Sequence, residues 1–326
     1  MRKPQYTVEY FEANAVRQYL LHHRSGDAGA PVMLIVHGGP GFPDSNAGYK
    51  LREWWGDLFH LVSWDQRGCG KTLAANRRPP AYPITARDIL DDMRLIIGHL
   101  KQAYRASQVY LLGISWGSVL CSIYALERPE DVKMYIAAGQ YCNCYRNEAA
   151  AYAKMKEVVE ASGSRKDRER LQAIGNYPEQ PFDPGAKAVL RKMYALKRLL
   201  GKYGMSIKLD WRFIRIMYIG SPVFKFSDFA YFSAKARERD KELVSFLNDF
   251  EILDYSADYA VPVCYITGER DYDTACPLSA EYFEQIRAPK KLLRVIADAS
   301  HNVIFDQPEA FARALADAKA LAEADP

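Results

Sequence analysis

Six short runs of mostly apolar residues are distributed along this chain, and they constrain its fold more than any other feature. They occupy residues 31–37, 58–64, 108–114, 132–139, 261–268 and 291–298. Such runs, bounded by glycines and polar loops, are typical of strands buried on both faces of a sheet. Helical periodicity over residues 84–104, with Thr85 as N-cap, predicts a helix that covers the sheet. Strands alternating with helices predict a mostly parallel, doubly wound sheet.

The alternation of strands and helices is interrupted in the middle of the chain. It stops after residue 139 and resumes near residue 258, and the segments 149–161, 186–203 and 229–247 have helical character. We therefore expect an α/β core made of residues 1–139 and 258–326, with a helical cap inserted as residues 140–257. Residues 7–23 predict an antiparallel hairpin before the first parallel strand.

The pentapeptide GISWG, residues 113–117, lies between a predicted strand and a predicted helix. A serine on such a sharp turn is strained and exposed, and flanking glycines keep side chains away from the neighbouring backbone. Ser115 is therefore the predicted nucleophile. This strand, turn and helix are typical of the α/β-hydrolase fold.

A serine hydroxyl needs an imidazole that takes its proton and a carboxylate that orients the imidazole. In this fold the order along the chain is serine, acid, histidine. His301 is the only histidine after Ser115 and is the predicted base. The loop after residues 261–268 contains both Asp271 and Asp273, and we favour Asp271 as the acid, with Asp273 as a turn or cap residue.

Acyl transfer also requires donors for the oxyanion of the tetrahedral intermediate. One predicted donor is the backbone amide of Trp116, which follows the nucleophile. The second is predicted in the sequence HGGPG, residues 37–41, where glycines let the backbone approach a substrate. We assign this second donor to Gly39.

The composition excludes several other classes of protein. The formal net charge of +4 is too small to favour a nucleic-acid partner, and the sequence contains neither a signal-peptide stretch nor a membrane-spanning one. The six cysteines are too few for a disulfide framework and are expected to be reduced thiols. We expect a cytoplasmic enzyme without a cofactor or metal, which acts on a small molecule or short peptide and makes no membrane contact.

Three motifs carry a family resemblance. HGGPG, WDQRGCGKT and GISWGS lie at residues 37–41, 64–72 and 113–118. In this order and at these separations they resemble the prolyl iminopeptidase family of α/β-hydrolases. The resemblance implies Ser115, Asp271 and His301 as catalytic triad, a helical cap over the site, and removal of an N-terminal residue, often proline, from short peptides.

The middle segment departs from this family. Members are expected to hold the substrate's amino group with cap carboxylates, frequently in a Trp-x-x-Trp-Glu setting, and that string is absent between residues 140 and 258. Glu148, Glu157 and Glu251 are expected to be exposed helical charges. The segment instead has apolar and aromatic residues that could line a pocket or pack the cap on the core: Trp211, Phe213, Ile216, Met217, Tyr218, Phe224, Phe226, Phe229 and Phe232.

The sequence therefore predicts a serine hydrolase that cleaves an amide or ester bond through an acyl-enzyme, as a prolyl iminopeptidase-like aminopeptidase. One alternative is an esterase or amidase for a hydrophobic, non-peptide acyl substrate. The other is a catalytically silent binding protein of the same fold.

In the DQRGCG loop, Asp65 and Arg67 are expected to pair with each other or to bond within the loop, and Cys69 to be packed rather than nucleophilic.

Overall fold

The structure is a computed structural model and describes residues 6–76, 83–232 and 241–324. Its centre is an eight-stranded sheet with the order β1-β2-β4-β3-β5-β6-β7-β8. The strands are β1 (Thr7–Ala13), β2 (Val16–His23), β3 (Val32–Val36), β4 (His60–Asp65), β5 (Val109–Ile114), β6 (Val132–Ala138), β7 (Val263–Gly268) and β8 (Lys291–Ile296).

The sheet is antiparallel at one edge and parallel elsewhere. β1 and β2 form an antiparallel hairpin, and β2 pairs antiparallel with β4. The pairs from β4 through β3, β5, β6 and β7 to β8 are all parallel. The predicted sheet and hairpin are thus confirmed, and the carboxyl ends of the parallel strands gather at one edge.

Helices cover both faces of the sheet, and the side chains of β3 show how. Val32, Leu34 and Val36 belong to the hydrophobic cluster that includes Ala86–Ala103, whereas Met33 and Ile35 belong to the cluster that includes Pro308–Glu323. This alternation follows from the two-residue period of a strand. Because both faces are covered, β3 is buried along its whole length.

The longest core helix has the predicted N-terminus. In Ala86–Ala103 the Thr85 hydroxyl accepts a hydrogen bond from the Asp88 amide, and the Asp88 carboxylate accepts one from the Thr85 amide. This reciprocal capping box satisfies two amides that the helix leaves without partners and contributes about 1 kcal/mol. The remaining core helices are Gly48–Trp55, Gly70–Ala75, Trp116–Glu127, Cys276–Gln285, Val303–Asp306 and Pro308–Glu323.

The described residues between β6 and β7 form helices and connecting turns, and we call them the helical insertion. Its α-helices are Cys144–Ser162, Arg165–Ile174, Lys187–Lys202, Trp211–Ile214 and Lys241–Asp249, with a π-helical turn at Arg215–Ile219 and a 3-10 turn at Phe226–Phe232. The first three pack around a cluster of their own that contains Met155, Leu171 and Leu196. Arg165–Ile174 is not predicted from sequence because it is strongly polar, and the predicted helix 229–247 runs partly through residues outside the described ranges.

No helix in the described part of the chain combines the length and the apolarity that a bilayer-spanning helix needs. The six cysteines are free and buried.

Candidate active site

Ser115 lies at the junction between β5 and the helix Trp116–Glu127. Its backbone has φ 52° and ψ −115°, a left-handed conformation that a residue with a side chain adopts only under strain. Its amide donates to the carbonyl of Ala138 at 3.0 Å, and its carbonyl accepts from the amide of Ser118 at 2.8 Å. These bonds hold the strained turn and present the serine at the carboxyl edge of the sheet.

Gly117 explains why the turn needs a glycine after the serine. A Cβ atom at this position would lie 1.9 Å from the carbonyl oxygen of Val36, at the end of β3. No side chain fits at that distance. The helix that begins at Trp116 therefore packs directly on the end of β3, and this contact fixes the position of Ser115 relative to the sheet.

His301 and Asp271 come from the ends of the two adjacent strands β8 and β7. His301 Nδ1 lies 2.9 Å from Asp271 Oδ2, and the Asp271 side chain is 1% exposed. Because Nδ1 is engaged by the carboxylate, Nε2 is the ring nitrogen left to accept a proton. The structure thus brings together the histidine and the aspartate that the sequence argument pairs.

Asp271 is held by its own loop. Its Oδ1 accepts from the amides of Asp273 and Thr274, each at 2.9 Å, and its Oδ2 accepts from the Thr274 hydroxyl at 2.8 Å. A carboxylate with this many donors is fixed in orientation. Thr274 is a supporting residue that sequence reasoning missed, since nothing in the pattern marks a threonine after the acid.

The side chain of Asp273 forms its hydrogen bonds with residues of the helical insertion. Its Oδ1 accepts from Lys197 Nζ at 3.0 Å, and its Oδ2 accepts from the Ser206 hydroxyl and the Ile207 amide at 2.7 Å each. Although burial raises the pKa of a carboxyl group, the charges of Lys197 and His301 and these hydrogen bonds lower the pKa of Asp273 to about 2. Asp273 is therefore an ionised contact between core and insertion.

The imidazole of His301 lies in a negative environment. Burial alone lowers the pKa of a histidine, but the charge of Asp271 and its hydrogen bond to the ring, together with the charge of Asp273, raise the pKa of His301 above its usual value. Lys197 acts in the opposite direction. The net effect is a more basic imidazole.

A cavity of about 550 Å³ is lined by both Ser115 and His301. Its walls come from the core and from the helical insertion and are largely apolar, with Phe42, Phe213, Met217, Val244, Leu247 and Phe305 among them. Of the insertion residues suggested by the sequence, Phe213 and Met217 line this cavity. Trp211 and Phe226 are instead exposed, and the side chain of Phe232 lies outside the described part of the structure.

The glycine loop at residues 37–41 lies against the serine. A Cβ atom at Gly38 would be 3.3 Å from Cβ of Ser115, and Gly39 has φ +125°, which requires glycine. Within residues 6–76, 83–232 and 241–324, neither the amide of Gly39 nor that of Trp116 has a protein acceptor. Both amides are thus available to a ligand, while the Trp116 indole donates to Gln66 in the core at 3.0 Å.

The expectation for the DQRGCG loop is wrong for Arg67, which bonds to another element, but holds for Asp65, which bonds locally. Arg67 forms a buried two-bond ion pair with Asp92 of the helix Ala86–Ala103, at 2.6 and 2.8 Å, whereas Asp65 accepts from the Lys71 amide. The helix brings Asp92 under the loop, a tertiary contact that local spacing does not reveal. Cys69 is packed, as expected, with its sulfur 3.3 Å from Nε2 of His37.

Glu148 also departs from expectation, since it is 5% exposed and not a surface charge. Its carboxylate accepts from the Tyr177 hydroxyl at 2.6 Å, and burial raises its pKa. Glu157, by contrast, is exposed and pairs with Lys154.

Among the described residues, no group of three or more His, Cys, Asp and Glu side chains is arranged to hold a metal ion.

Comparison with known proteins decides the family. A model of the alpha/beta hydrolase family matches residues 33–314. The chain belongs to the alpha/beta hydrolase family. As a member of this family it is a hydrolase, and its eight-stranded sheet has the architecture expected of that fold.

Relatives of this alpha/beta hydrolase confirm the resemblance to prolyl iminopeptidases. The probable aminopeptidase YbaC of Bacillus subtilis is 25% identical over 290 residues, which cover 89% of each chain. A proline iminopeptidase of Heyndrickxia coagulans is 22% identical over 313 residues, which cover 96% of this chain and 98% of that protein. The crystal structure of a Mycobacterium smegmatis proline iminopeptidase matches with a TM-score of 0.65 at 17% identity, over 97% of this chain and 98% of that one. At that identity the structural match shows the fold alone.

Proposed function

We propose that this alpha/beta hydrolase is a serine hydrolase that cleaves an amide or ester bond through an acyl-enzyme. In this proposal Ser115 is the nucleophile, His301 the general base and Asp271 the acid. The observation that carries it is the 2.9 Å contact between His301 and Asp271 beside a cavity that Ser115 also lines. The strained backbone of Ser115 and its position in the cavity wall support the same assignment.

The reaction follows from these positions. His301 Nε2 takes the proton of Ser115 Oγ as the oxygen attacks the substrate carbonyl, and the Gly39 and Trp116 amides stabilise the oxyanion. The protonated imidazole gives that proton to the leaving amine or alcohol, so that the carbon–heteroatom bond breaks and an acyl-enzyme remains. Water, deprotonated by His301, then attacks the acyl-enzyme. The ester bond to Ser115 breaks, His301 returns the proton to Ser115 Oγ, and the carboxylic acid product leaves.

The preferred substrate class is a short peptide with a free N-terminus, as for a prolyl iminopeptidase-like aminopeptidase. The relatives named as aminopeptidase and proline iminopeptidase support this choice. A cavity of about 550 Å³ suits a small substrate and falls within the range of ligand sites in proteins. The apolar walls also favour a second candidate, an esterase or amidase for a hydrophobic acyl group without an amine.

We further propose that residues 140–257 act as a cap domain on a core of residues 1–139 and 258–326. Lys197, Phe213 and Met217 of the helical insertion line the same cavity as Ser115, which supports this division. A cytoplasmic location is proposed as well, because buried free cysteines such as Cys121 and Cys264 suit a reducing compartment.

Labelling with a fluorophosphonate tests the nucleophile. The folded wild-type protein should gain one adduct, and peptide mapping should place it on Ser115. Ser115→Ala should lose both the adduct and hydrolysis of prolyl p-nitroanilide. Ser122→Ala serves as the matched control because Ser122 is buried in the same helix and its hydroxyl donates to the Val119 carbonyl. A folded wild-type protein without an adduct would instead support the catalytically silent binding protein.

A further inference from the structure

Asp44 is a carboxylate in the wall of the cavity to which the reaction assigns no role. It follows the glycine loop at residues 37–41, precedes the 3-10 turn Ser45–Ala47, and lines the cavity together with Ser115 and His301. The residue is 9% exposed. Both carboxylate oxygens are buried and, apart from the backbone amide of Asp44 itself, no group in the described part of the protein donates a hydrogen bond to them.

A second carboxylate, Asp65, lies close enough to act on Asp44 electrostatically. Burial, and then the charge of Asp65, raise the pKa of Asp44 to about 8, and burial raises the pKa of Asp65 to about 6. Asp65 Oδ2 accepts from the Lys71 amide, and the Ser45 hydroxyl and the charge of Lys71 also favour the ionised form of Asp65. No donor among the described residues lies within hydrogen-bonding geometry of Asp65 Oδ1. The Lys71 ammonium is engaged by Asp228 at 2.6 Å. The pair therefore has more acceptors than donors.

The other carboxylate that lines the cavity does not share this property. Asp273 is matched by Lys197, Ser206 and the Ile207 amide. Among the described lining residues, Asp44 is therefore the carboxylate whose acceptor capacity is unused. Burying such a group without a donor is costly, so a site that retains it is suited to a ligand that brings the missing positive charge.

We propose that Asp44, supported by Asp65, binds the α-ammonium group of the peptide substrate. This inference rests on the proposed aminopeptidase function. A primary α-ammonium carries three N–H donors, and that of an N-terminal proline carries two. Each has one positive charge, and these properties match the unused oxygens and the excess of negative charge. Its approach favours the ionised form of Asp44, so the carboxyl proton is released as the amine binds. The core thus supplies the carboxylate that the absent Trp-x-x-Trp-Glu string would have placed in the cap.

The test compares two substrates that differ only in the amine. One is L-proline p-nitroanilide, and the other is the p-nitroanilide of cyclopentanecarboxylic acid, in which a CH₂ group replaces the ring NH₂⁺. The readout is the ratio of their kcat/KM values. Asp44→Asn should lower this preference by about 30-fold or more, the change expected when a charge-paired hydrogen bond is lost. Asp273→Asn is the matched control and should keep the preference, because Asp273 is already paired.

Asp44→Asn and Asp44→Ala should both fold, because each removes a buried carboxylate that lacks a donor, and thermal unfolding checks this. The test needs only one of these two variants to fold. If the wild type prefers the amine and either folded variant keeps that preference, the assignment of Asp44 is overturned while the aminopeptidase stands. If the wild type shows no preference for the amine, the aminopeptidase proposal fails and this inference fails with it. The rate of fluorophosphonate labelling reports separately whether Ser115 remains reactive.

Discussion

His301 Nδ1 and Asp271 Oδ2 are 2.9 Å apart although 30 positions separate the two residues in the chain. β7 and β8 are adjacent and parallel, so the loops after their carboxyl ends meet at one edge of the sheet. The same edge carries Ser115, which follows β5. The sheet order thus places the loops that carry His301 and Asp271 at the same edge as Ser115, and His301 and Ser115 line one cavity there.

Asp271→Asn should lower kcat by about 10⁴-fold, because an amide in place of the carboxylate no longer fixes the His301 tautomer or stabilises its cation. Asp273→Asn should cost less than about 10-fold, because Asp273 bonds to the helical insertion and not to the ring. Steady-state kinetics with prolyl p-nitroanilide measure both, and circular dichroism confirms folding. A greater loss in Asp273→Asn would transfer the role of acid to that residue.

The raised pKa of His301 predicts the pH dependence of the reaction. Only the neutral imidazole can take the serine proton, so kcat/KM should rise as the pH passes through the pKa of His301, above the usual value of about 6.5. Asp273→Asn removes a negative charge and should move this acidic limb to lower pH. Lys197→Met removes a positive charge and should move it to higher pH. Shifts in the same direction in both variants would contradict the electrostatic explanation.

Local patterns were sufficient to predict the fold and much of the candidate site. The apolar runs that became β3 to β8 are recognisable from their composition and length, and GISWG is a local pattern of strand, turn and helix. His301 could be chosen by elimination because no other histidine follows Ser115. These features depend on residues close in sequence or on the order of residue types along the chain.

Contacts between distant segments were not predictable in the same way. The partner of Arg67 is Asp92, on a helix beyond the loop, and the burial of Glu148 arises only when the Tyr177 segment packs beside it. Asp44 likewise looks like an ordinary turn residue until the cavity wall is known. Burial and pairing of charges are tertiary properties, and a single sequence carries no local signal for them.

Two glycine-to-alanine substitutions should change the stability of the fold in opposite directions, one through a steric clash with backbone and the other through helix propensity. Gly117→Ala places a Cβ atom 1.9 Å from the Val36 carbonyl oxygen and should destabilise the fold by about 3 kcal/mol or more, with loss of activity. Gly98→Ala lies within the helix Ala86–Ala103 with no atom within 4 Å of the added carbon and should stabilise by about 0.5–1 kcal/mol. Urea unfolding measures both, and a tolerated Gly117→Ala would contradict the proposed packing of the turn.

Arg67, in the DQRGCG loop, should prove structural rather than catalytic. Arg67 and Asp92 are almost fully buried, so Arg67→Ala leaves Asp92 without its charged partner and should cost about 3–5 kcal/mol in the free energy of unfolding. Arg87→Ala is the matched control, because it breaks an exposed two-bond pair with Glu127 and should cost about 1 kcal/mol or less. Urea denaturation provides both values.

Because Arg67 does not line the cavity, the folded fraction of Arg67→Ala should keep kcat within about 10-fold of wild type. A much larger fall in kcat with little change in stability would show instead that this arginine takes part in the reaction.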